Sequence, residues 1–244
     1  MSETDARAAR LALERAIAPD RLALPPGFAD AVERFVALLL DANRRLNLTR
    51  VVEPEAVARL HLLDSVAALP LIDAIGPRRA LDLGSGGGVP GLVLALARPD
   101  VAWTLVDSVR KKADALRSFV AALELSNVEV LAERAEIVGR DPSRRESYDL
   151  VTARACAALP VLAEYALPLT AIGGTLLAWK GRLPDAELDA GRDAAQLLGG
   201  DAPAFRSTGF DELGVHRFVV VSKSRPTPAA YPRRPGEPSR RPLA

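Results

Sequence analysis

The sequence predicts an α/β fold: a mostly parallel, Rossmann-like sheet of seven strands, doubly wound by helices and preceded by a helical N-terminal extension. Three observations carry this expectation. Short apolar runs at 80–83, 101–106, 127–131, 148–153 and 174–179 alternate with longer Ala- and Leu-rich segments at helical spacing. A glycine-rich break, Gly84-Ser85-Gly86-Gly87-Gly88-Val89-Pro90-Gly91, follows the first run and opens into Leu92-Val93-Leu94-Ala95-Leu96-Ala97, the pattern of strand, tight turn and helix. The chain has 244 residues, 49% of them hydrophobic, enough for one such sheet with appendages.

In chain order, residues 3–18 and 27–45 have apolar positions at helical spacing and are separated by Pro25-Pro26-Gly27. A third helix is expected from near Pro54, carrying His61, Asp64 and Ser65 toward the first strand. Helices follow at 111–125, 157–170 and 184–198, the last ended by Gly199-Gly200. The runs at 204–209 and 215–222 suit an antiparallel pair that closes the sheet. From Arg225 the prolines at 226, 228, 232, 235, 238 and 242 remove backbone donors, and no regular structure is expected there. The organisation read from sequence is therefore a helical cap over 1–68, a ligand-binding α/β domain over 69–224 and a basic tail over 225–244.

A formal net charge of +1 means that any affinity for nucleic acid must come from local clustering. The tail is one such cluster, with Arg225, Arg233, Arg234, Arg240 and Arg241 against Glu237 alone, a composition suited to phosphate contact. A single cysteine, Cys156, excludes an internal disulfide and a multi-cysteine zinc site; with only two histidines, no metal is expected. The N-terminus lacks a basic-then-apolar leader, and no apolar run reaches the roughly eighteen residues that would span a membrane. A cytoplasmic, monomeric protein with no membrane association is expected.

The glycine turn carries the chemistry. Counted from Gly84, a dinucleotide fingerprint would need Gly at the sixth place, where Val89 stands, and a phosphate-cradling loop would need Lys-Ser/Thr behind the glycines. Neither is present, and Asp82 at the end of the strand would repel a pyrophosphate. A carboxylate there suits a cation, and S-adenosyl-L-methionine carries an ammonium and a sulfonium. About twenty residues on, the second strand ends in Asp107, whose carboxylate can accept from both ribose hydroxyls. Gly84, Gly86 and Asp107 are accordingly read as cofactor-binding. Arg154, at the end of the fourth strand, offers a permanent guanidinium for the methionine carboxylate or a substrate phosphate.

The residues just after the fourth strand narrow the chemistry. Enzymes that methylate an exocyclic amine usually carry an Asn/Asp-Pro-Pro-aromatic run here, and this chain has Arg154-Ala155-Cys156-Ala157. A cysteine nucleophile for pyrimidine carbon five commonly follows proline, whereas Cys156 follows Ala155 and reads as a small hydrophobe. No catalytic acid, base or nucleophile is assigned, and His216 is read as structural.

Asp82-Leu83-Gly84-Ser85-Gly86-Gly87-Gly88-Val89-Pro90-Gly91, Val106-Asp107-Ser108 with Lys111-Lys112, Arg134-Ala135-Glu136, Ala153-Arg154-Ala155 and Lys180-Gly181 resemble the ribosomal RNA small subunit methyltransferase G family, once called glucose-inhibited division protein B. The likeness extends from Leu46-Asn47-Leu48-Thr49 to Tyr231-Pro232-Arg233-Arg234, with Val89 where a larger apolar residue is common and Ala153 where Ser is frequent. The resemblance implies a class I methyltransferase that uses S-adenosyl-L-methionine to methylate guanine N7 in the decoding-region loop of 16S ribosomal RNA, alone or in the small ribosomal subunit. It implies cofactor contacts at Gly84, Gly86, Val89, Asp107, Ala135, Glu136 and Arg154, and it raises the prospect of a role for His61 near the substrate or cofactor. A methyltransferase acting on another RNA base or a small molecule, or a non-enzymatic adenosyl-nucleotide sensor, is the alternative.

Overall fold

The computed structural model describes residues 2–17 and 21–243; the expected end of the first helix at residue 18 and the last tail residue lie outside them. Seven strands form one sheet: β1 (Arg79–Leu83), β2 (Ala102–Val106), β3 (Val128–Leu131), β4 (Tyr148–Arg154), β5 (Thr170–Lys180), β6 (Ala204–Ser207) and β7 (Arg217–Ser222). Their spatial order is β3-β2-β1-β4-β5-β7-β6. The first five are mutually parallel, and β7 pairs antiparallel with both β5 and β6. The order reverses between β1 and β4, so the carboxyl end of β1 is the topological switch point, where ligands bind in open α/β sheets.

Side chains alternate across the sheet because successive Cβ atoms in a strand point to opposite faces. Leu150, Leu177, Trp179 and Phe218 join the apolar cluster on one face, while Val151, Leu176, Ala178 and Val219 join the cluster on the other. The first face is covered by α1 (Ser2–Ala16), α2 (Phe28–Leu46), α6 (Gly91–Ala97) and α7 (Arg110–Ala122); the second by α8 (Ala135–Val138), α9 (Leu159–Ala166) and α10 (Asp185–Leu197). The N-terminal helices thus share a core with the sheet. From α2, Val32, Phe35, Val36 and Leu39 point inward at spacings of three and four, each worth roughly 1.5–3 kcal/mol on full burial. Gly27, at φ +79°, supports the turn into α2, where an L side chain would be strained.

Between α2 and β1 the chain runs through α3 (Pro54–Val57), a π-helical stretch (Ala58–Leu63), α4 (Asp64–Val66) and α5 (Leu69–Ile75). The sequence pattern alone predicts a single helix beginning near Pro54. The π turn adds a residue to the ring of each hydrogen bond and rotates the chain beyond it, a feature concentrated at functional sites.

The last segment differs from expectation. Residues 225–243 pack on the body, and Glu237–Arg240 forms a short helix, α11, with Pro238 in its first turn, where the missing N–H costs nothing. Arg145 donates to the carbonyls of Thr227 and Tyr231, Arg140 to that of Ala230, and Arg233 pairs with the fully buried Glu164 at 2.5 Å. Prolines prevent a self-contained element here, but a proline-rich chain leaves its carbonyls free, and body arginines capture them. No helix among the described residues is long and apolar enough to cross a membrane.

Candidate functional site

The turn after β1 is fastened to β2 rather than merely adjacent to it. The N–H groups of Gly84 and Ser85 donate to Val106 O, and Gly86 N–H donates to Asp107 Oδ2 at 2.9 Å. The other Asp107 oxygen accepts from Val109 N–H at 2.8 Å, and Asp107 N–H donates to Leu131 O on β3. The ends of three strands are thereby locked in register, with the Asp107 carboxylate at their centre.

The glycines of this turn divide into two kinds. A Cβ on Gly87, Gly88 or Gly91 would press into Leu39, Leu92 or Leu105 at 2.9 Å or less, so these glycines are required by packing. Gly86, at φ +56°, would meet only Gly84 O at 3.7 Å, and Gly84, at φ +69°, meets the Cys156 side chain. Gly86 is therefore the glycine of this turn whose bare backbone has room beside it, as a cradle requires, while Gly84 closes against the Cys156 sulfur. Val89 is half-buried against the core on the α2 side.

Asp82 differs from the sequence expectation. Its carboxylate is fully buried beneath the start of α6, where Oδ1 accepts from Thr152 at 2.7 Å and Oδ2 has no hydrogen-bond partner among the described residues. Burial pushes its pKa up to about 6, against the opposing effect of the Thr152 hydroxyl. A group so enclosed acts on a bound cation through its field rather than by contact.

Ala135 and Glu136 open α8 directly beyond β3, next to the end of β2. Glu136 is buried, and its Oε1 accepts from Gly236 N–H at 2.7 Å, a partner 100 residues away in the C-terminal segment.

On the other side of β1, Arg154 reaches the π-helical stretch. Its guanidinium donates to Leu60 O at 2.6 Å and Asp64 Oδ2 at 3.0 Å, and lies 3.5 Å from His61 Nδ1. Asp64 is 1% exposed and is shared: Oδ1 bonds His216 Nδ1 at 3.0 Å, and its backbone carbonyl accepts from Trp179 Nε1 at 2.7 Å. An arginine can only donate, so a bond from Arg154 to His61 Nδ1 would put the ring proton on Nε2, which lies 2.8 Å from Thr49 Oγ1. Burial, with Arg154 beside it, lowers the His61 pKa to about 4 and keeps the ring neutral.

Leu60, His61, Asp64, Arg154, Trp179 and His216, with Lys180, Gly181 and Ala155, line a cavity of about 490 Å³. Ala155 sits at φ +51°, a strained conformation for a residue with a Cβ, of the kind that clusters at binding sites. Cys156 follows. The residue as a whole is exposed, but its sulfur is turned in against Gly84; its desolvation there, with Asp82 and Asp107 nearby, pushes the thiol up to about 11. That is opposite to the depressed pKa of an activated nucleophile.

Of the residues singled out in the sequence, Gly86 and Asp107 meet directly, Gly84 is tied to Val106 next to them, Ala135 and Glu136 follow the neighbouring strand β3, and Arg154 lines the cavity on the other side of β1. The Asp64–His216 contact spans 152 positions and had no sequence signal. The π turn that presents His61 and Asp64 to Arg154 had none either.

A seven-stranded sheet of this order, with a glycine turn tied to an acid at the end of β2, defines the fold class of S-adenosylmethionine-dependent methyltransferases. Solved structures agree at the level of fold: cofactor-bound Rv0187 from MTB superposes with a TM-score of 0.52 at 21% identity, covering 78% of this chain and 89% of that one. A putative S-adenosyl-L-methionine-dependent methyltransferase from Methanococcus maripaludis gives 0.54 at 12% identity, covering 77% and 91%. The chain belongs to the rRNA small subunit methyltransferase G family, whose model matches residues 29–211. It is 47% identical over 211 residues to the ribosomal RNA small subunit methyltransferase G of Deinococcus radiodurans, covering 86% of this chain and 83% of the relative. The protein of that name from Symbiobacterium thermophilum is 40% identical over 245 residues, covering 98% and 100%.

Proposed function

We propose that this protein transfers the methyl group of S-adenosyl-L-methionine to N7 of a guanine in small-subunit ribosomal RNA. The observation that carries the reading is the Gly86–Asp107 hydrogen bond, which puts an acceptor for ribose hydroxyls beside the open backbone of Gly86 at the switch point of the sheet. In this reading Gly84, Gly86 and Val89 line the cofactor, Asp107 bonds its ribose, Ala135 and Glu136 flank its adenine, and Arg154 orients the methionine end or the RNA. The cofactor supplies an electrophilic methyl group.

The protein's own groups suit an acceptor that already has a lone pair. Guanine N7 loses no proton on attack, so positioning and exclusion of water matter more than a base. His61 is neutral with both ring nitrogens engaged, and Cys156 is held as the thiol. Family membership supports ribosomal RNA as the substrate. The test is transfer of labelled methyl to small-subunit RNA followed by reduction and amine-induced strand scission, which cleaves at N7-methylguanine. Label incorporated without a scission site would overturn the N7 assignment; no incorporation into RNA or subunits would overturn the RNA assignment.

A further inference from the structure

The C-terminal segment ends on the residues expected to hold the adenosyl group. Gly236 N–H donates to Glu136 Oε1 at 2.7 Å, and the turn that aims this N–H depends on Gly236 at φ +79°. Two anchors fix the segment on either side of that bond. Upstream, Arg233 makes a bidentate pair with Glu164, whose side chain is fully buried on α9, and Arg233 N–H donates to the same carboxylate at 2.8 Å. Downstream, α11 lies along α9, and Leu243 packs into the apolar cluster that includes Ala135. Pro232 is seated so closely on Gly139, at the end of α8, that a Cβ there would fall 3.1 Å from Pro232 Cγ.

A four-residue helix such as α8 cannot hold its own geometry, because so short a helix forms almost no internal hydrogen bonds. Its buried Glu136 and its last turn are both held by the segment 231–243. We propose that this segment is a positioning element for cofactor binding: it fixes α8 and the Ala135–Glu136 pair beside Asp107, and so forms the outer support of the adenosyl site. Of the tail arginines Arg233 serves this role, while Arg225, Arg234, Arg240 and Arg241 stay exposed. Arg233 is consumed by Glu164, Arg225 donates to Gln196 O and Arg240 to Gly236 O.

This role rests on the cofactor site proposed for the glycine turn, and the experiment separates the two. Calorimetric titration with S-adenosylhomocysteine is carried out on the full-length protein, on a chain ending at Pro235 that keeps the Arg233–Glu164 pair, and on Gly236→Pro, which removes only the N–H donor and its turn. Ligand-free melting is followed in parallel. Both variants are expected to bind the probe at least tenfold more weakly while melting within a few degrees of the full-length protein. In a Glu136→Ala background Gly236→Pro should cost little further, since those two changes interrupt one contact. Affinity within twofold of full length in either folded variant overturns the proposal. Full additivity with Glu136→Ala does so too. If the truncated chain does not fold, Gly236→Pro decides alone. No binding of the probe by the full-length protein would instead overturn the cofactor site itself.

Discussion

Gly86 and Asp107, twenty-one positions apart, are joined by a 2.9 Å hydrogen bond from the glycine N–H to the carboxylate. The same carboxylate holds Val109 N–H, so one side chain sets both the glycine turn and the start of the chain after β2. Asp107→Ala should therefore weaken S-adenosylhomocysteine binding by about 5- to 150-fold, the roughly 1–3 kcal/mol lost with hydrogen bonds to a charged group. Asp107→Asn keeps an oxygen for one of the two N–H groups and should fall between. Calorimetry checks the ranking; equal affinity in all three would remove Asp107 from the site.

Gly86→Arg probes the open side of the same turn. The left-handed backbone costs an L residue roughly 1–2 kcal/mol, and the added Cβ meets only Gly84 O. The variant should stay folded, melt a few degrees lower and bind no cofactor analogue, because the arginine fills the cradle. A folded variant that binds normally would put the cofactor elsewhere.

The parts of this arrangement that were legible in sequence are those built from near neighbours. Strand, turn and helix at 80–97 follow from apolar runs broken by glycines, and the placement of Asp107 follows from strand spacing. The π-helical stretch was not legible, since Ala58-Arg59-Leu60-His61-Leu62-Leu63 reads as ordinary helix and its widened turn answers to Arg154 from β4. The role of the tail was hidden for a related reason. Its prolines exclude long elements, but nothing local says that Arg233 will meet a buried Glu164 sixty-nine residues upstream. Asp82 sits on the strand where the apolar run puts it; its enclosure under α6 depends on how closely Gly91 lets that helix approach.

Cys156→Ala should retain methyl transfer within a few-fold of wild type. The thiol, raised to about 11, is protonated at neutral pH, and attack by guanine N7 needs no covalent adduct. A dead variant that still folds and binds S-adenosylhomocysteine would favour covalent chemistry at a ring carbon.

Arg154 should separate charge from geometry. Arg154→Met leaves the buried Asp64 with His216 as its remaining side-chain partner, and breaking a buried pair costs about 3–5 kcal/mol. Arg154→Lys restores the charge and most of that stability. A single ammonium cannot span Leu60 O, Asp64 and His61 as the planar fork does, so methyl transfer should remain at least tenfold reduced. Recovery of both properties by lysine would reduce Arg154 to a charge.

Asp82 gives the ligand-free protein an unusual pH dependence. Its pKa rises from 3.8 to about 6 on folding, so between those values the native state holds a proton that the unfolded chain has lost, and this group's contribution to stability falls as pH rises. His61, lowered from 6.5 to about 4, acts in the opposite sense over nearly the same window: the unfolded chain holds the extra proton, and stability falls as pH drops. The two largely cancel in the wild type. Asp82→Asn removes one of them while keeping an oxygen to accept from Thr152. The difference in unfolding free energy between Asp82→Asn and wild type should therefore grow in favour of the variant by about 1.4 kcal/mol per pH unit from pH 4 to 6. It should then level off near 3 kcal/mol above pH 6, on the same scale of about 1.4 kcal/mol per unit of pKa shift. Urea unfolding at pH 3.5, 5 and 7.5 measures this directly, and a difference that does not change with pH would mean that the Asp82 carboxylate is ionised at no cost in the folded protein.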